Sequence, residues 1–474
     1  MISLNEVVEV ERPLESCFRY VADFRNTLEW DPTVLAAVKT TAGAIAAGTR
    51  FSVTCKAGPS KIDLRYEILE YTPWQCLVLE GSCRWFSVRD TISFETLQSG
   101  VTRIHYSADF SYRFGLEKYA RRYEKSLETM GRNSVEGLRV ALADNNPPPA
   151  AHADTERKDR NVASALACFT RHGYQKGRRR WLPMSTDMTG KHVVLTGASS
   201  GLGLATAVSL LEACADLTLV IRDVTKIDSM QAVLERETGR RANRVELADL
   251  SLLRDVNALS EKLLAEGRPI DVLINNAGAL FNDFGETQEG IEQSLALLLL
   301  SPWQLTEQLH PLLRDHTTKA RVINVVSGGM YTQKLSVKHL LMSADHYSGS
   351  VAYARAKRAL TVLTEHWAER WAGDRIVVNS MHPGWADTPG VQSALPLFRR
   401  ITRKVLRNAE EGADTIVWLA RAREADQMTG KLFLDREPRT THLRKNTIES
   451  PEARSQLIPW LEQTVAGLAI TRDT

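Results

Sequence analysis

One glycine-rich turn constrains the fold of this chain more than any other feature. The motif TGASSGLG at 196–203 follows an apolar run at 192–195 and precedes an apolar-periodic segment at 204–214. This order predicts a strand, a tight turn and a helix. Glycines let the backbone approach a bound group closely, and the free N–H groups at a helix start attract an anion. The stretch therefore predicts a parallel sheet whose first turn cradles the pyrophosphate of a dinucleotide.

Three further motifs follow the turn in chain order. Asn-Asn-Ala-Gly at 275–278 comes after an apolar strand, Ser327 comes after another, and Tyr353 and Lys357 stand four residues apart on a helical segment. That spacing puts the two side chains on one helix face. A tyrosine with a pKa of about 10 is a poor acid or base at neutral pH, and a neighbouring ammonium favours its phenolate form. The pair alone is a weak signal, but the four motifs together indicate proton-transfer chemistry beside a dinucleotide.

These motifs, over about 189–434, resemble those of the short-chain dehydrogenase/reductase family. Ser-Gly-Gly-Met at 327–330 and HPGWADTPG at 382–390 resemble the branch of retinol-dehydrogenase-like proteins and dehydrogenase/reductase member twelve. The resemblance implies three catalytic residues. Tyr353 would exchange a proton with the substrate oxygen, Lys357 would lower the pKa of Tyr353 and hold the nicotinamide ribose, and Ser327 would hydrogen-bond the substrate oxygen.

The same resemblance implies a set of cofactor-binding residues. Asp249, followed by Leu250, matches the family's adenine-contacting acid, although a helix N-cap is an alternative role for it. Pro383, Gly384 and Thr388 match the family's segment over the nicotinamide. The full set is Thr196, Gly197, Ser199, Ser200, Gly201, Leu202, Gly203, Arg222, Asp249, Leu250, Asn275, Asn276, Ala277, Gly278, Tyr353, Lys357, Pro383, Gly384 and Thr388.

The end of the second strand predicts the choice of cofactor. A carboxylate there binds the ribose diol of NAD, whereas an arginine accommodates the 2′-phosphate of NADP. The position holds Ile221, and Arg222 follows it, while Asp223 falls in the predicted turn. NADP(H) is therefore the expected cofactor, and NAD(H) is the alternative.

One residue departs from the family pattern. The helix after Asn-Asn-Ala-Gly usually carries an asparagine that holds a water in the proton relay, and the alignment places Leu298 there. Leucine cannot hydrogen-bond. This departure favours the alternative that the dehydrogenase half is degenerate and senses nucleotide without turnover.

Composition narrows the other function classes. The formal net charge of +3 over 474 residues gives no argument for nucleic-acid binding. Six scattered cysteines without a C-x-x-C pair indicate free thiols, and the histidines lack metal-ligand spacing, so no metal is expected. The start of the chain lacks the features of a signal peptide, and the most apolar run, at 295–300, is too short to span a bilayer. A cytoplasmic location is expected, and assembly into homo-oligomers stays open.

The first part of the chain predicts a separate domain. Strand-like segments follow a proline-initiated short helix and end in a long helix at 116–142, before a proline-rich spacer. This pattern, with the opening VERPLESCFRYVAD, resembles the helix-grip fold of the START-like, polyketide-cyclase superfamily. The resemblance implies a cavity for an apolar ligand between the long helix and the sheet. No acid/base pair stands out there, so no catalysis is assigned to it.

The predicted organisation is a START-like α+β domain at 1–143, a linker at 144–160, a helical lead-in at 161–188 and a doubly wound α/β (Rossmann) domain at 189–474. The basic stretch at 177–181 and the basic amphipathic segment at 395–407 are expected to be a solvated segment and a substrate lid, with membrane-surface contact as the alternative. The expected function is an NADP(H)-dependent oxidoreductase that interconverts a hydrophobic carbonyl compound and its alcohol.

Overall fold

The computed structural model describes residues 2–57, 60–98, 100–114, 124–143, 159, 161–181, 184, 187–314 and 319–470. The chain divides into two compact units. The first comprises 1–146 with short pieces at 179–187 and 235–239, and the second comprises 147–178, 188–234 and 240–474. The domain limits proposed from the sequence stay predictions.

The described residues of the first unit form an antiparallel sheet and the helices α1 to α3. Its elements are β1 Ile2–Val10, α1 Leu14–Ala22, α2 Thr27–Trp30, β2 Val34–Lys39, β3 Arg50–Ala57, β4 Ser60–Thr72, β5 Cys76–Ser82, β6 Phe86–Gln98, β7 Val101–Tyr112 and α3 Glu124–Ala143. The strand order is β1-β7-β6-β5-β4-β3-β2. The predicted helix-grip fold is confirmed, although strand β2 was not predicted. The part of the predicted final helix before residue 124 lies outside the described residues.

Aromatic packing under α1 forms the core of the first unit. The Phe18 ring is fully buried and meets the rings of Tyr71, Trp74 and Phe94 edge-on, with centroids 5.2, 5.4 and 5.1 Å away. Edge-to-face pairs of this kind stabilise a core beyond the area they bury. Helix α3 lies against α2, since a side chain at Gly137 would overlap the carbonyl oxygen of Trp30.

The second unit alternates strands and helices. Its elements are α4 Val162–Cys168, α5 Arg171–Arg178, β8 His192–Thr196, α6 Gly201–Glu212, β9 Asp216–Ile221, α7 Ile227–Thr238, β10 Arg244–Leu247, α8 Leu253–Glu266, β11 Val272–Asn275, α9 Gln293–Leu295, α10 Ser301–Gln308, α11 His310–Arg314, β12 Ala320–Val325, α12 Gly349–Arg370, β13 Ile376–Met381, α13 Pro389–Ala394, α14 Pro396–Thr402, α15 Ala409–Arg421, β14 Leu432–Leu434, β15 Glu437–Arg439 and α16 Pro451–Ile470.

The strands of the second unit confirm the predicted doubly wound sheet. Their order is β10-β9-β8-β11-β12-β13-β14-β15, parallel as far as β14, with β15 antiparallel at the edge. Strands β8, β12 and β13 are buried at every residue, as a sheet covered on both faces requires. The order reverses between β8 and β11, so the carboxyl ends of these strands flank the crevice where such folds bind ligands.

Two local features differ from the sequence-based expectation. The predicted helical lead-in at 161–188 begins with two helices, α4 and α5, which are separated at Phe169 and Thr170. Strands β14 and β15 form an unpredicted hairpin whose two connecting residues, Asp435 and Arg436, both have φ near +57°. Two successive left-handed residues are the signature of a type I′ turn. Among the described residues, no helix is long and apolar enough to cross a membrane.

Candidate functional site

The glycine turn lies at the carboxyl end of β8. Gly197 has φ +69°, and a side chain there would lie 2.7 Å from the Cα atom of Ala277, while one at Gly203 would overlap the carbonyl oxygen of Gly197. Both positions therefore require glycine. Helix α6 begins at Gly201, and the side chain of its N-cap residue Ser200 makes no capping hydrogen bond. The first N–H groups of α6 are thus available to a phosphate, and the turn fits the pyrophosphate of a dinucleotide.

The loop after β11 is tied to this turn. Thr196 Oγ1 accepts hydrogen bonds from the backbone N–H groups of Asn276 and Ala277, each at 3.0 Å, and donates to the carbonyl of Ile274 at 3.1 Å. Asn276 Nδ2 in turn donates to the carbonyls of Thr196 at 2.9 Å and Gly197 at 3.1 Å. These bonds hold the second predicted motif against the first.

Asn275 belongs to the same motif, but its side chain makes contacts away from the glycine turn. Its side chain is buried, and Nδ2 donates to Thr306 Oγ1 and Asn324 Oδ1, both at 2.9 Å. These bonds link β11 to α10 and β12. The side chain thus supports the end of the sheet from within the protein instead of lining the crevice.

The end of β9 agrees with its sequence-based interpretation. Ile221 is buried and Arg222 is exposed. The Asp223 carboxylate accepts hydrogen bonds from the backbone N–H and hydroxyl of Thr225, at 3.0 and 2.6 Å, and these bonds hold its pKa below the usual value. Asp223 therefore belongs to the turn that starts α7, and Arg222 is the side chain that follows the strand.

Asp249 does not cap a helix. Its Oδ1 accepts from the backbone N–H of Ser251 at 3.0 Å and from the Ser251 hydroxyl at 2.7 Å, an Asx-type turn. Helix α8 begins four residues later, and Glu289 accepts from the N–H groups of Leu253 and Arg254. The alternative role as an N-cap is therefore wrong, since Glu289, from a distant part of the sequence, fills it. The next residue, Leu250, is buried.

The three predicted catalytic residues come together at the ends of β12 and α12. Ser327 follows β12, and its Oγ accepts from the backbone N–H of Gly329 at 3.3 Å. Burial raises the pKa of Tyr353, and a hydrogen bond with the Ser327 side chain opposes that shift. Burial also lowers the pKa of Lys357 to about 7, and Nζ donates to the carbonyl of Val325 at 2.8 Å. The Tyr353 and Ser327 side chains are thus hydrogen-bonded, and the buried Lys357 amine is held at the end of β12 one helical turn further along α12.

Leu298 lies beside this group. A side chain at Gly278 would lie 3.1 Å from Leu298 Cδ2 and 3.8 Å from Lys357 Nζ, so the leucine and the lysine flank the same glycine. Leu298 is fully buried in a π-helical segment, Ala296–Leu300, that joins α9 to α10. Such π-helical segments are frequent at functional sites. The sequence pattern gave no indication of the bulge.

The segment after β13 closes the other side of the turn. A side chain at Gly201 would lie 3.4 Å from the Cβ atom of Thr388, whose hydroxyl accepts from the N–H of Val391 and caps α13. Pro383 packs near Gly412 of α15, and Gly384 has φ +71°. The structure therefore brings the predicted Pro-Gly-x-x-x-Thr segment next to the dinucleotide turn.

The lead-in contributes a residue that the sequence did not single out. Phe169, at the break between α4 and α5, is buried, and its ring centroid lies 4.5 Å from that of His382. A side chain at Gly328 would lie 2.8 Å from the Phe169 ring. The carbonyl of Phe169 accepts from Arg407 Nε at 3.1 Å. The lead-in thus packs behind the Ser327 loop, and nothing in the sequence of the predicted helical lead-in indicated this contact.

A glycine turn that fits a dinucleotide, with a tyrosine, serine and lysine at the same sheet edge, defines a nicotinamide-dependent oxidoreductase. Comparison with known proteins agrees. Residues 191–396 match the family described as short chain dehydrogenase, and residues 1–138 match the family described as polyketide cyclase / dehydrase and lipid transport.

Individual relatives carry the comparison further. Dehydrogenase/reductase SDR family member 12 of Bos taurus is 37% identical over 306 residues, which cover 64% of this chain and 95% of that protein. Retinol dehydrogenase 12 of Homo sapiens is 32% identical over 273 residues, covering 57% of this chain and 83% of that protein. A solved putative NAD(P)-dependent gluconate 5-dehydrogenase from Beutenbergia cavernae gives a TM-score of 0.44 at 23% identity, over 52% of this chain and 96% of that one.

The chain belongs to the short-chain dehydrogenase/reductase family and carries a polyketide-cyclase-type domain ahead of its dehydrogenase domain. It is an oxidoreductase that uses an NAD(P) cofactor and acts on alcohol or carbonyl groups. Both family resemblances drawn from the sequence are confirmed.

Proposed function

We propose that the second unit is an NADP(H)-dependent oxidoreductase that interconverts a hydrophobic carbonyl compound and its alcohol, and that the first unit binds an apolar ligand. The observation that carries the catalytic part is the meeting of Tyr353, Ser327 and Lys357 at the sheet edge that holds the glycine turn. A nicotinamide cofactor, when bound, supplies or accepts the hydride. Six free cysteines support a reducing, cytoplasmic location.

Each of the three side chains has a role that its surroundings support. The Tyr353 hydroxyl passes a proton to or from the substrate oxygen, because it hydrogen-bonds with the Ser327 side chain that holds the same oxygen. Ser327 hydrogen-bonds that same oxygen and sets its position. The Lys357 ammonium stabilises developing phenolate charge and holds the ribose, and Val325 keeps it oriented through its carbonyl. The turn residues and the segment from Pro383 to Thr388 hold the rest of the cofactor.

The surface near the crevice supports a hydrophobic substrate. Helix α14 follows Thr388 and α13, and it exposes Leu397 and Ile401, which are 69% and 76% accessible. These two residues stand one helical turn apart and present an apolar edge. An apolar lid of this kind favours an aldehyde, a ketone or a lipid-derived alcohol over a sugar.

We expect NADPH to bind at least about tenfold more tightly than NADH, because Arg222 offers a cation where a carboxylate would bind a ribose diol. Arg222→Glu is expected to reverse or flatten that preference. Titration of both cofactors by fluorescence, on the natural protein and the variant, measures the ratio. Arg241→Glu, at another exposed arginine of the same unit, is the control and should leave the ratio unchanged. Equal affinities in the natural protein would contradict the assignment.

Leu298→Asn separates the enzyme from the rival interpretation, a protein that binds nucleotide without turnover. An asparagine beside Lys357 is expected to hold a water and raise the turnover number, by up to about a hundredfold if proton transfer limits the rate. Cofactor affinity should barely move. An amide on this buried helix face also costs about 1–3 kcal/mol if it lacks partners, so stability is measured on the same preparation.

A folded variant with unchanged turnover would show that another proton route serves the site. If neither protein turns over any carbonyl while both bind NADPH, the rival function is the better one.

A further inference from the structure

The first unit holds a cavity of about 560 Å³ between helix α3 and the sheet. Its walls are mainly apolar, with side chains such as Leu64, Val88 and Phe110 from the sheet and Met130 and Val135 from α3. This volume lies within the range of sites that enclose most of a small ligand. The predicted cavity of the helix-grip fold is thus formed by described residues of the first unit alone.

A carboxyl group interrupts this apolar wall. The strand registers place Ile68, Leu79, Asp90, Ala108 and Leu4 in one row across five strands, so Asp90 is the polar member of an otherwise apolar row. Its side chain lines the cavity and is 2% exposed. Burial of a carboxyl without compensation is costly, and proteins rarely retain one without a reason.

The groups around Asp90 satisfy only part of the hydrogen-bonding capacity of its carboxyl group. The hydroxyls of Tyr66 and Tyr106 lie beside it and favour its ionised form, whereas burial, the larger effect, raises its pKa to about 7. Among the described residues, no group makes a well-formed hydrogen bond with Oδ2. The cavity therefore contains a deeply buried hydrogen-bond acceptor that still lacks a donor.

The second carboxyl of the cavity limits the charge of any ligand. Asp31 also lines it, and its Oδ1 accepts from the backbone N–H and hydroxyl of Thr33, at 2.8 and 2.7 Å. A negative charge on Asp31 makes ionisation of Asp90 less favourable, and a ligand carboxylate would add a third negative charge to the cavity. A ligand ammonium would have to give up its hydration to enter an apolar space. A neutral donor has neither cost.

We propose that this cavity binds an apolar alcohol whose hydroxyl donates a hydrogen bond to Oδ2 of Asp90. This inference rests on the proposed role of the first unit as an apolar-ligand site and names the chemical class of the ligand. An ether or an ester of the same length offers no donor to Asp90, and a fatty acid brings a repelled charge. The first unit thus selects the alcohol member of the alcohol–carbonyl pair that the second unit interconverts.

The test is equilibrium dialysis of the full chain, without cofactor and at about pH 8.5 where the Asp90 carboxyl is ionised, against radiolabelled dodecan-1-ol, 1-methoxydodecane, dodecanoate and dodecylamine. We expect the alcohol to bind at least about tenfold more tightly than the ether, since a hydrogen bond to a charged group is worth that factor or more. Asp90→Leu is expected to abolish the difference while the ether binds as well as before or better. Asp109→Asn is the matched control, because Asp109 lies on the adjacent strand one residue from the Asp90 row, with its Oδ1 accepting from Ser3. It should keep the alcohol preference.

Asp90→Asn guards against loss of folding in the leucine variant. Its amide is isosteric and can donate to an ether oxygen, so the gap between alcohol and ether should narrow. Equal binding of alcohol and ether to the natural protein, or tightest binding of dodecanoate or dodecylamine, would overturn the proposal. NADPH oxidation with a carbonyl substrate is measured on the same preparations and should be unchanged by either Asp90 variant. The binding result therefore stands or falls separately from the proposed catalytic function.

Discussion

Tyr353→Phe is expected to lower the turnover number by about a hundredfold to ten-thousandfold, the range that general acid–base catalysis contributes. The substitution removes one hydroxyl and leaves a ring of the same shape on α12. That hydroxyl is the group beside Ser327, whose hydrogen bond opposes the rise in the pKa of Tyr353 that burial causes. No phosphate contact is lost, so NADPH affinity should change less than about threefold. Steady-state kinetics and fluorescence titration on one preparation measure both quantities.

Lys357→Met is the matched comparison on the same helix. It removes a buried ammonium that donates to the Val325 carbonyl, and we expect both turnover and cofactor affinity to fall. The two variants therefore separate proton transfer from cofactor binding. A Tyr353→Phe protein that keeps most of its turnover would show that the proton comes from another group. Equal losses of NADPH affinity in both variants would show that Tyr353 acts mainly in binding.

The order of strands and motifs could be predicted because each depends on local sequence. Apolar runs such as those of β8 and β12 alternate with helical periods, which leaves few topologies other than a parallel sheet. The glycines at 197 and 203 could be interpreted from the sequence, because they stand where neighbouring backbone lies too close for any other residue to fit. The π-helical segment at Leu298 was not predictable, since it depends on packing around Gly278 and Lys357. The break at Phe169 likewise depends on partners far along the chain.

The sequence around Asp90 indicates the unusual position of this carboxyl. Phe86, Val88, Asp90, Ile92 and Phe94 alternate along β6, so the sequence already placed a carboxyl on an apolar strand face. A two-residue period identifies such a misplaced polar residue even when no second acid or base stands nearby in sequence. Its partners Tyr66 and Tyr106 come from other strands, and only the register shows that the three meet.

The hairpin that ends the second unit's sheet has an unusual sequence for its shape. Type I′ turns favour glycine, asparagine or aspartate, because both central residues need positive φ, so Asp435 suits its position but Arg436 does not. Ion pairs compensate for the strain: Arg436 Nε donates to Asp414 Oδ1 at 2.8 Å, and Arg407 Nη1 donates to Asp435 Oδ1 at 2.6 Å. Arg407 also donates to the Phe169 carbonyl, so one guanidinium joins the hairpin to the lead-in.

Arg407→Met is therefore expected to cost about 3–5 kcal/mol of unfolding free energy, the usual result of removing one partner of a buried ion pair. Arg407 is 1% exposed, and its loss leaves the Asp435 carboxylate buried without its cation. Urea denaturation, with NADPH binding as a readout of the second unit, measures the loss. Arg370→Met is the control, since the Arg370 side chain is 50% exposed and its pair with Glu307 should be worth less than about 1 kcal/mol.

The pH dependence of the same variant tests the cause. Burial already raises the pKa of Asp435, and Arg407 is the group that opposes this shift. Without Arg407 the folded-state pKa rises further above the unfolded value of about 3.9, so folding takes up a proton between these two values. The variant's deficit relative to the natural protein should therefore be small at low pH, where both folded proteins hold the proton, and grow as the pH rises from the natural protein's folded-state pKa to the higher one of the variant. Adding Asp435→Asn removes the buried charge and keeps a residue that tolerates positive φ, so most of the lost stability should return. A deficit that is independent of pH and persists in the double variant would mean that the lost bonds to the lead-in carbonyls, and not the unpaired carboxylate, cause it.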